Sequence, residues 1–149
     1  MKTLSVGTAA SMVLAVVGAG VAGYLTYVHY NAGALVCSVG DCHAVQTSSY
    51  AKIGPVPIAI FGLLMYLAVI GLGVARWRGV TWYQTATMGA FALTLAGTVY
   101  AAYLSYLEVD VIHAICQWCV TSAILTTAIM VIEGVATYRL LGITGSRVY

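Results

Sequence analysis

The segment Cys116-Gln-Trp-Cys119 opens a long apolar run, and its placement suggests redox chemistry. Two thiols spaced i and i+3 share one face of a helix. At a helix N-terminus, free backbone N–H groups and the helix dipole favour the thiolate, the form of cysteine that attacks disulfides. A second pair, Cys37 and Cys42, brackets Ser-Val-Gly-Asp. That spacing, with a glycine inside it, can close a small ring, so a disulfide there is allowed. Two pairs on one side of a membrane can exchange through a mixed disulfide. One pair lies in a loop able to reach solvent, and the other at the edge of an apolar segment. Such a set reads as a relay from a water-borne dithiol to a lipid-soluble acceptor. A quinone takes two electrons and lives in the bilayer. The residues alone also admit an inert structural disulfide. They admit a metal site as well, in which the cysteines join His43 and His113 in a membrane adaptor. The wide spacing of Cys37 and Cys42 and an oxidising compartment weigh against metal.

The elements that must position these thiols follow from composition. The chain has 149 residues, 62% hydrophobic and 7% charged, where a soluble domain carries about 25% charged residues. This is a membrane composition. A net charge of +2 gives no support for nucleic-acid binding. Four cysteines in so apolar a chain do not make a disulfide-stapled secreted scaffold. Four apolar runs each supply the ~20 residues that cross ~30 Å of hydrocarbon. The expected fold is an all-α integral membrane protein. It is one four-transmembrane-helix bundle, with helices near residues 4–30, 57–75, 82–107 and 115–138, and a loop or lid at 31–56. The first run is longer than the ~7–15-residue core of a signal peptide, so it is expected to be a retained helix.

Orientation follows from the basic residues. Lys2, Arg76, Arg78, Arg139 and Arg147 fall on one side, and only Lys52 falls on the other. Both termini are therefore expected in the cytoplasm and all four cysteines outside it, where disulfides are made and kept. Tyr24, Tyr27, Tyr30, Tyr103 and Tyr106, with Trp77 and Trp82 at the opposite end, fit aromatic belts. Gly18, Gly20, Gly23, Gly71 and Gly73 are small residues that permit close helix approach. Gly54-Pro55-Val56-Pro57 closes the loop and opens the second helix. Around Asp41 to Ala51 the loop can form a short helix. Its Val36, Val39, Ala44, Val45, Tyr50 and Ile53 suit a lid over the bundle mouth.

Three stretches, CSVGDCHAVQTSSYA, GPVPIAIFGLLMY and CQWC at the start of the last helix, together resemble the vitamin K epoxide reductase family over roughly residues 24–131. The order is specific: loop pair, serine-rich segment, Gly-Pro-rich start of the second helix, then CxxC. The related B-type disulfide-forming membrane oxidoreductases place their CxxC in the first outer loop, so they resemble the chain less. The resemblance implies that Cys116 and Cys119 are the active-site pair, with Cys119 facing a quinone of menaquinone, ubiquinone or vitamin K type. It implies that Cys116 exchanges with Cys42, and that Cys37 meets a thioredoxin-like partner. Ser48 resembles the loop serine near the quinone. Because the chain stops at Tyr149, without the fused thioredoxin-like domain of many prokaryotic members, the partner is expected to be a separate secreted dithiol protein. The vertebrate spacer between the loop cysteines is longer. Ala123 stands where vertebrate members have tyrosine, and Ile58 near where the family has a quinone-contacting asparagine. Polar contacts to an epoxide are thus partly missing. The alternative of a quinone or vitamin K epoxide reductase using the same cysteines is less favoured than disulfide formation with a plain quinone.

Among the remaining residues, His113 one turn before Cys116 is a candidate for thiolate stabilisation or quinone protonation. Trp118 is a candidate to pack on the quinone ring, and Gln46 and Tyr50 are weaker pocket candidates. Glu133, the one carboxylate inside a membrane run, is expected to snorkel or pack rather than react. Asp41 and Lys52 read as solvated loop charges, and Asp41, Glu108 and Asp110 are placed together in the outer loops.

Overall fold

The computed structural model describes residues 2–79 and 81–145, with side chains from residue 6 to 142. Arg147, used above for orientation, lies outside the described residues, and Lys2 is described only as backbone. Four long helices carry the fold: α1 (Lys2–Tyr30), α3 (Ile58–Arg78), α4 (Tyr83–Leu107) and α5 (Gln117–Gly145). Each contains a span long and apolar enough to cross a membrane. Without water in the hydrocarbon, backbone polar groups must pair internally, and a helix pairs all of them within one segment. Against the expected spans, α3, α4 and α5 begin one or two residues later, at Ile58, Tyr83 and Gln117, and α3 and α5 extend further, to Arg78 and Gly145.

The helices form a ring: α1 packs on α3 and α5, and α4 packs on α3 and α5. Ala15, Ala22, Tyr66, Val69 and Ile129 form its buried centre. Gly18 makes the close α1–α3 approach possible, because a Cβ there would collide with the Tyr66 ring. The Tyr66 hydroxyl meets the Ser122 carbonyl at 2.9 Å and the Thr126 hydroxyl at 2.8 Å, tying α3 to α5. Gly73 likewise lies against Met12, but Gly20, Gly23 and Gly71 have no neighbour within 4 Å of a built Cβ. The close-approach reading is corrected for those three.

At the cysteine end, the first connection holds the short helix α2 (Cys42–Thr47) and a hairpin of β1 (Lys52–Ile53) and β2 (Val56–Pro57). Asp41 caps α2 by accepting from the Ala44 N–H at 2.9 Å, so it is a structural cap rather than a free loop charge. Of the expected lid residues only Val45 is buried. Val36, Val39 and Ile53 are more than half exposed, so the segment over the bundle mouth carries an apolar outer surface. Tyr24 also leaves its predicted belt role. It stacks on Trp118 with ring centroids 5.0 Å apart, and its hydroxyl donates to the Ala34 carbonyl and accepts from the Val36 N–H.

At the opposite end, Arg76 and Glu133 form a buried bidentate ion pair, Nη1–Oε2 at 2.7 Å and Nη2–Oε1 at 2.8 Å. Both side chains are at most 2% exposed. Glu133 therefore does not snorkel, and Arg76 is not a loop charge. It belongs to the last turns of α3 and neutralises the acid facing it on α5.

Candidate functional site

The site begins where α4 ends. Leu107 passes into a π-helical turn, Glu108–Ile112, and the chain leaves it at His113 in the left-handed region (φ 55). The Ala114 N–H closes the turn on the Glu108 carbonyl at 2.9 Å. Single π turns are rare and gather at functional sites. Here the turn delivers Cys116 to the N-terminus of α5, with its carbonyl accepting the Val120 N–H at 3.0 Å.

The Cys37–Cys42 loop is fastened across that N-terminus. Gly40 bridges Cys116 in the antiparallel sense. The Asp41 N–H donates to the Ile115 carbonyl at 2.9 Å. The Val39 N–H donates to Gln117 Oε1 at 2.9 Å, and Trp118 Nε1 donates to the Val36 carbonyl at 2.8 Å. The loop is thus clamped on α5, while Ser38 to Asp41 remain exposed to solvent. Cys37 and Cys42 are joined as a disulfide, while Cys116 and Cys119 are thiols. Cys42 and Cys116 are both fully buried and share one cluster with Val45.

Gly40 makes the clamp possible. Its φ of +84 and its contact with the Ile115 carbonyl oxygen leave no room for a Cβ. Gly40→Ala is expected to lift the loop from Cys116. Because misplacement by about 1 Å can cost about 100-fold in rate, exchange between the pairs should slow by about that factor, as read by rapid quenching and alkylation.

Cys116 has its pKa lowered from 9.0 to about 7. The chief cause is the hydrogen bond from the Cys119 thiol, and the backbone N–H groups of Cys119 and Trp118 add to it. Burial and the Glu108 carboxyl oppose these effects. Thiolate is the attacking form, so attack by Cys116 on a disulfide should speed up as pH rises through about 7 and level off above. Cys119→Ala removes the donated bond, so the midpoint of single-turnover exchange should move up.

Beside Cys119 opens a cavity of about 300 Å³. It is walled by α3 (Ile58, Phe61, Met65), α4 (Gly97, Ala101, Leu104) and α5 (Ser122, Ala123, Thr126), and roofed by Gln46, Ser48 and Tyr50. Of the residues predicted to hold a ligand, Cys119, Ser48, Gln46, Ile58 and Ala123 converge on this cavity. Trp118 and His113 do not. Trp118 is engaged in the loop clamp, and His113 is exposed, its Nδ1 3.0 Å from the Val109 carbonyl. Among the described residues, no group of three or more His, Cys, Asp or Glu side chains could hold a metal ion.

The family described as the vitamin K epoxide reductase family matches residues 9–133, which spans α1 to Glu133 on α5 and takes in both cysteine pairs. The chain belongs to the vitamin K epoxide reductase family. As a member it is an integral membrane protein and an oxidoreductase.

The residue that sequence reasoning missed is Glu108. It was placed among outer-loop charges, yet it is 4% exposed and lines the cavity with Cys119. Its Oε2 accepts the Cys116 N–H at 3.0 Å. A signal was present: Gly97, Ala101, Leu104 and Glu108 are spaced as one helical stripe, and all four line the cavity.

Proposed function

We propose that the chain oxidises a separate thioredoxin-like dithiol protein outside the cytoplasm. It passes the electrons through Cys37/Cys42 and then Cys116/Cys119 to a membrane quinone, and so supports disulfide bond formation. The observation that carries this reading is the placement of a disulfide, a buried cluster shared by Cys42 and Cys116, and a thiol lining an apolar cavity at one end of the bundle. Cys37 is half-buried at the rim, Cys42 and Cys116 share a dry cluster, and Cys119 stands on the cavity wall. The distribution of Lys and Arg supports placing the cysteine end outside.

The residues present fit a quinone. The cavity is mostly apolar, with a few polar groups (Ser48, Gln46, Ser122) able to meet carbonyl oxygens. A bound quinone would supply the two-electron acceptor chemistry. The protein supplies the rest. Cys37, at the rim, receives the partner's thiolate, which places the partner's electrons on the outer pair. When the inner pair is a Cys116–Cys119 disulfide, Cys42 attacks Cys116 and displaces Cys119, Cys37 then attacks Cys42 to close the outer disulfide, and the inner pair emerges as the dithiol. Cys116 is held as a good thiolate by the start of α5, and Cys119 faces the cavity. Ile58 and Ala123, where polar family residues are replaced, both line that cavity. Their walls offer only apolar contact, which favours a plain quinone over an epoxide.

The test is quinol formation by the purified protein in lipid vesicles, driven by a reduced thioredoxin-like protein. One quinol per partner disulfide is expected, with loss of the reaction in Cys116→Ala. Absence of quinone reduction by the intact protein would overturn the reading.

A further inference from the structure

Glu108 is a buried acid with no basic partner: among the described residues, no Lys, Arg or His forms an ion pair with it. The contrast with Glu133 is direct, since that acid is neutralised by Arg76. Burying a carboxyl away from water is unfavourable unless something else requires it. Accepting one backbone N–H from Cys116 does not require a charge, because an amide oxygen serves equally well. The carboxyl also interacts with the Cys119 thiol, and both groups face the cavity. Acid, thiol and ligand space therefore meet at one point on the cavity wall.

We propose that Glu108 is the proton acceptor for the Cys119 thiol and the proton donor to the quinone reduced in the cavity. This rests on the quinone reading above. The step balances as follows. Cys119 gives its proton to the Glu108 carboxylate and becomes a thiolate. Cys116 is already a thiolate, its proton having gone to water. The two sulfurs join as the Cys116–Cys119 disulfide, and two electrons pass to the quinone. Quinol formation takes one proton from Glu108, which returns to carboxylate, and one from water. The role explains why the π turn carries an acid to this position: it holds a proton where bulk water is excluded.

The test compares quinone reduction by the intact protein with that of Glu108→Gln and Glu108→Asp, in vesicles with a water-soluble quinone of short tail. General acid–base groups contribute about 10²- to 10⁴-fold. Glu108→Gln should therefore lose at least about 100-fold in kcat, with the quinone KM within about threefold. Glu108→Asp, which keeps the proton but is one carbon shorter, should be clearly faster than Glu108→Gln. A purely positioning role through the Cys116 N–H predicts the opposite order, since glutamine preserves that bond. Glu108→Gln within threefold of the parent, or Glu108→Asp no faster than Glu108→Gln, would overturn the proposal. If the parent protein itself reduces no quinone, the functional reading fails, and that outcome is distinct from a fast parent with an equally fast Glu108→Gln.

Discussion

Cys119→Ser is expected to stop quinone reduction and to leave the two cysteine pairs cross-linked to each other. Cys116 is the thiolate of the inner pair, and its buried neighbour Cys42 is half of the outer disulfide. Attack by Cys116 on Cys42 forms a Cys42–Cys116 bond and frees Cys37. In the parent protein, Cys119 can undo that bond by attacking Cys116, which is the reverse of the productive step, in which Cys42 attacks Cys116 of the inner disulfide and Cys37 then displaces it. A serine there cannot attack sulfur usefully, so the mixed disulfide persists. Loss of a covalent catalytic group commonly costs far more than about 10³-fold, and quinol formation should fall at least that much. Peptide mapping without reductant should show Cys42 linked to Cys116 and Cys37 open to alkylation. The complementary Cys116→Ser should give no such link, because the thiol buried in the same cluster as Cys42 is then absent.

Glu133→Ala is expected to be the most destabilising substitution away from the thiols. It leaves the Arg76 guanidinium, only 2% exposed, without its carboxylate. Removing one partner of a buried ion pair typically costs about 3–5 kcal/mol, because the remaining charge is stranded. In detergent the melting midpoint should fall by roughly 10 °C. The double substitution Arg76→Met with Glu133→Leu removes both charges and should recover most of that loss. Glu133 sits about 20 Å along α5 from Cys119, so quinone turnover in the double variant should stay within about threefold of the parent. Such a result would mark the pair as a helix clamp between α3 and α5 rather than part of the redox path.

The helical spans were legible because hydropathy is a property of composition, and a run of apolar residues without charges has few alternatives in lipid. The thiol pairs were legible because CxxC at the start of such a run carries its own chemistry. What was not legible depended on tertiary placement. Glu108 and Asp110 look alike in sequence, but the π turn sends the first inward and leaves the second exposed. Trp118 sits next to Cys119 and was expected to meet the quinone. Its indole N–H instead satisfies the Val36 carbonyl of the loop packed over it. Arg76 follows an apolar run and reads as a loop charge until Glu133 is found opposite it across the helix packing. The left-handed Gly40 was visible as a glycine, but its purpose appears only once Ile115 lies against it.

The most direct test of the electron path is a two-step single turnover. The protein is first oxidised so that both cysteine pairs are disulfides, then reduced without oxygen by one equivalent of a dithiol thioredoxin-like protein, quenched and mapped by alkylation and mass. A water-soluble quinone is added to a second portion before quenching. The account predicts a Cys37–Cys42 disulfide with Cys116 and Cys119 alkylated in the first portion. In the second it predicts a Cys116–Cys119 disulfide and one quinol formed per protein. Thiols at Cys116 and Cys119 that survive excess quinone unchanged would contradict it.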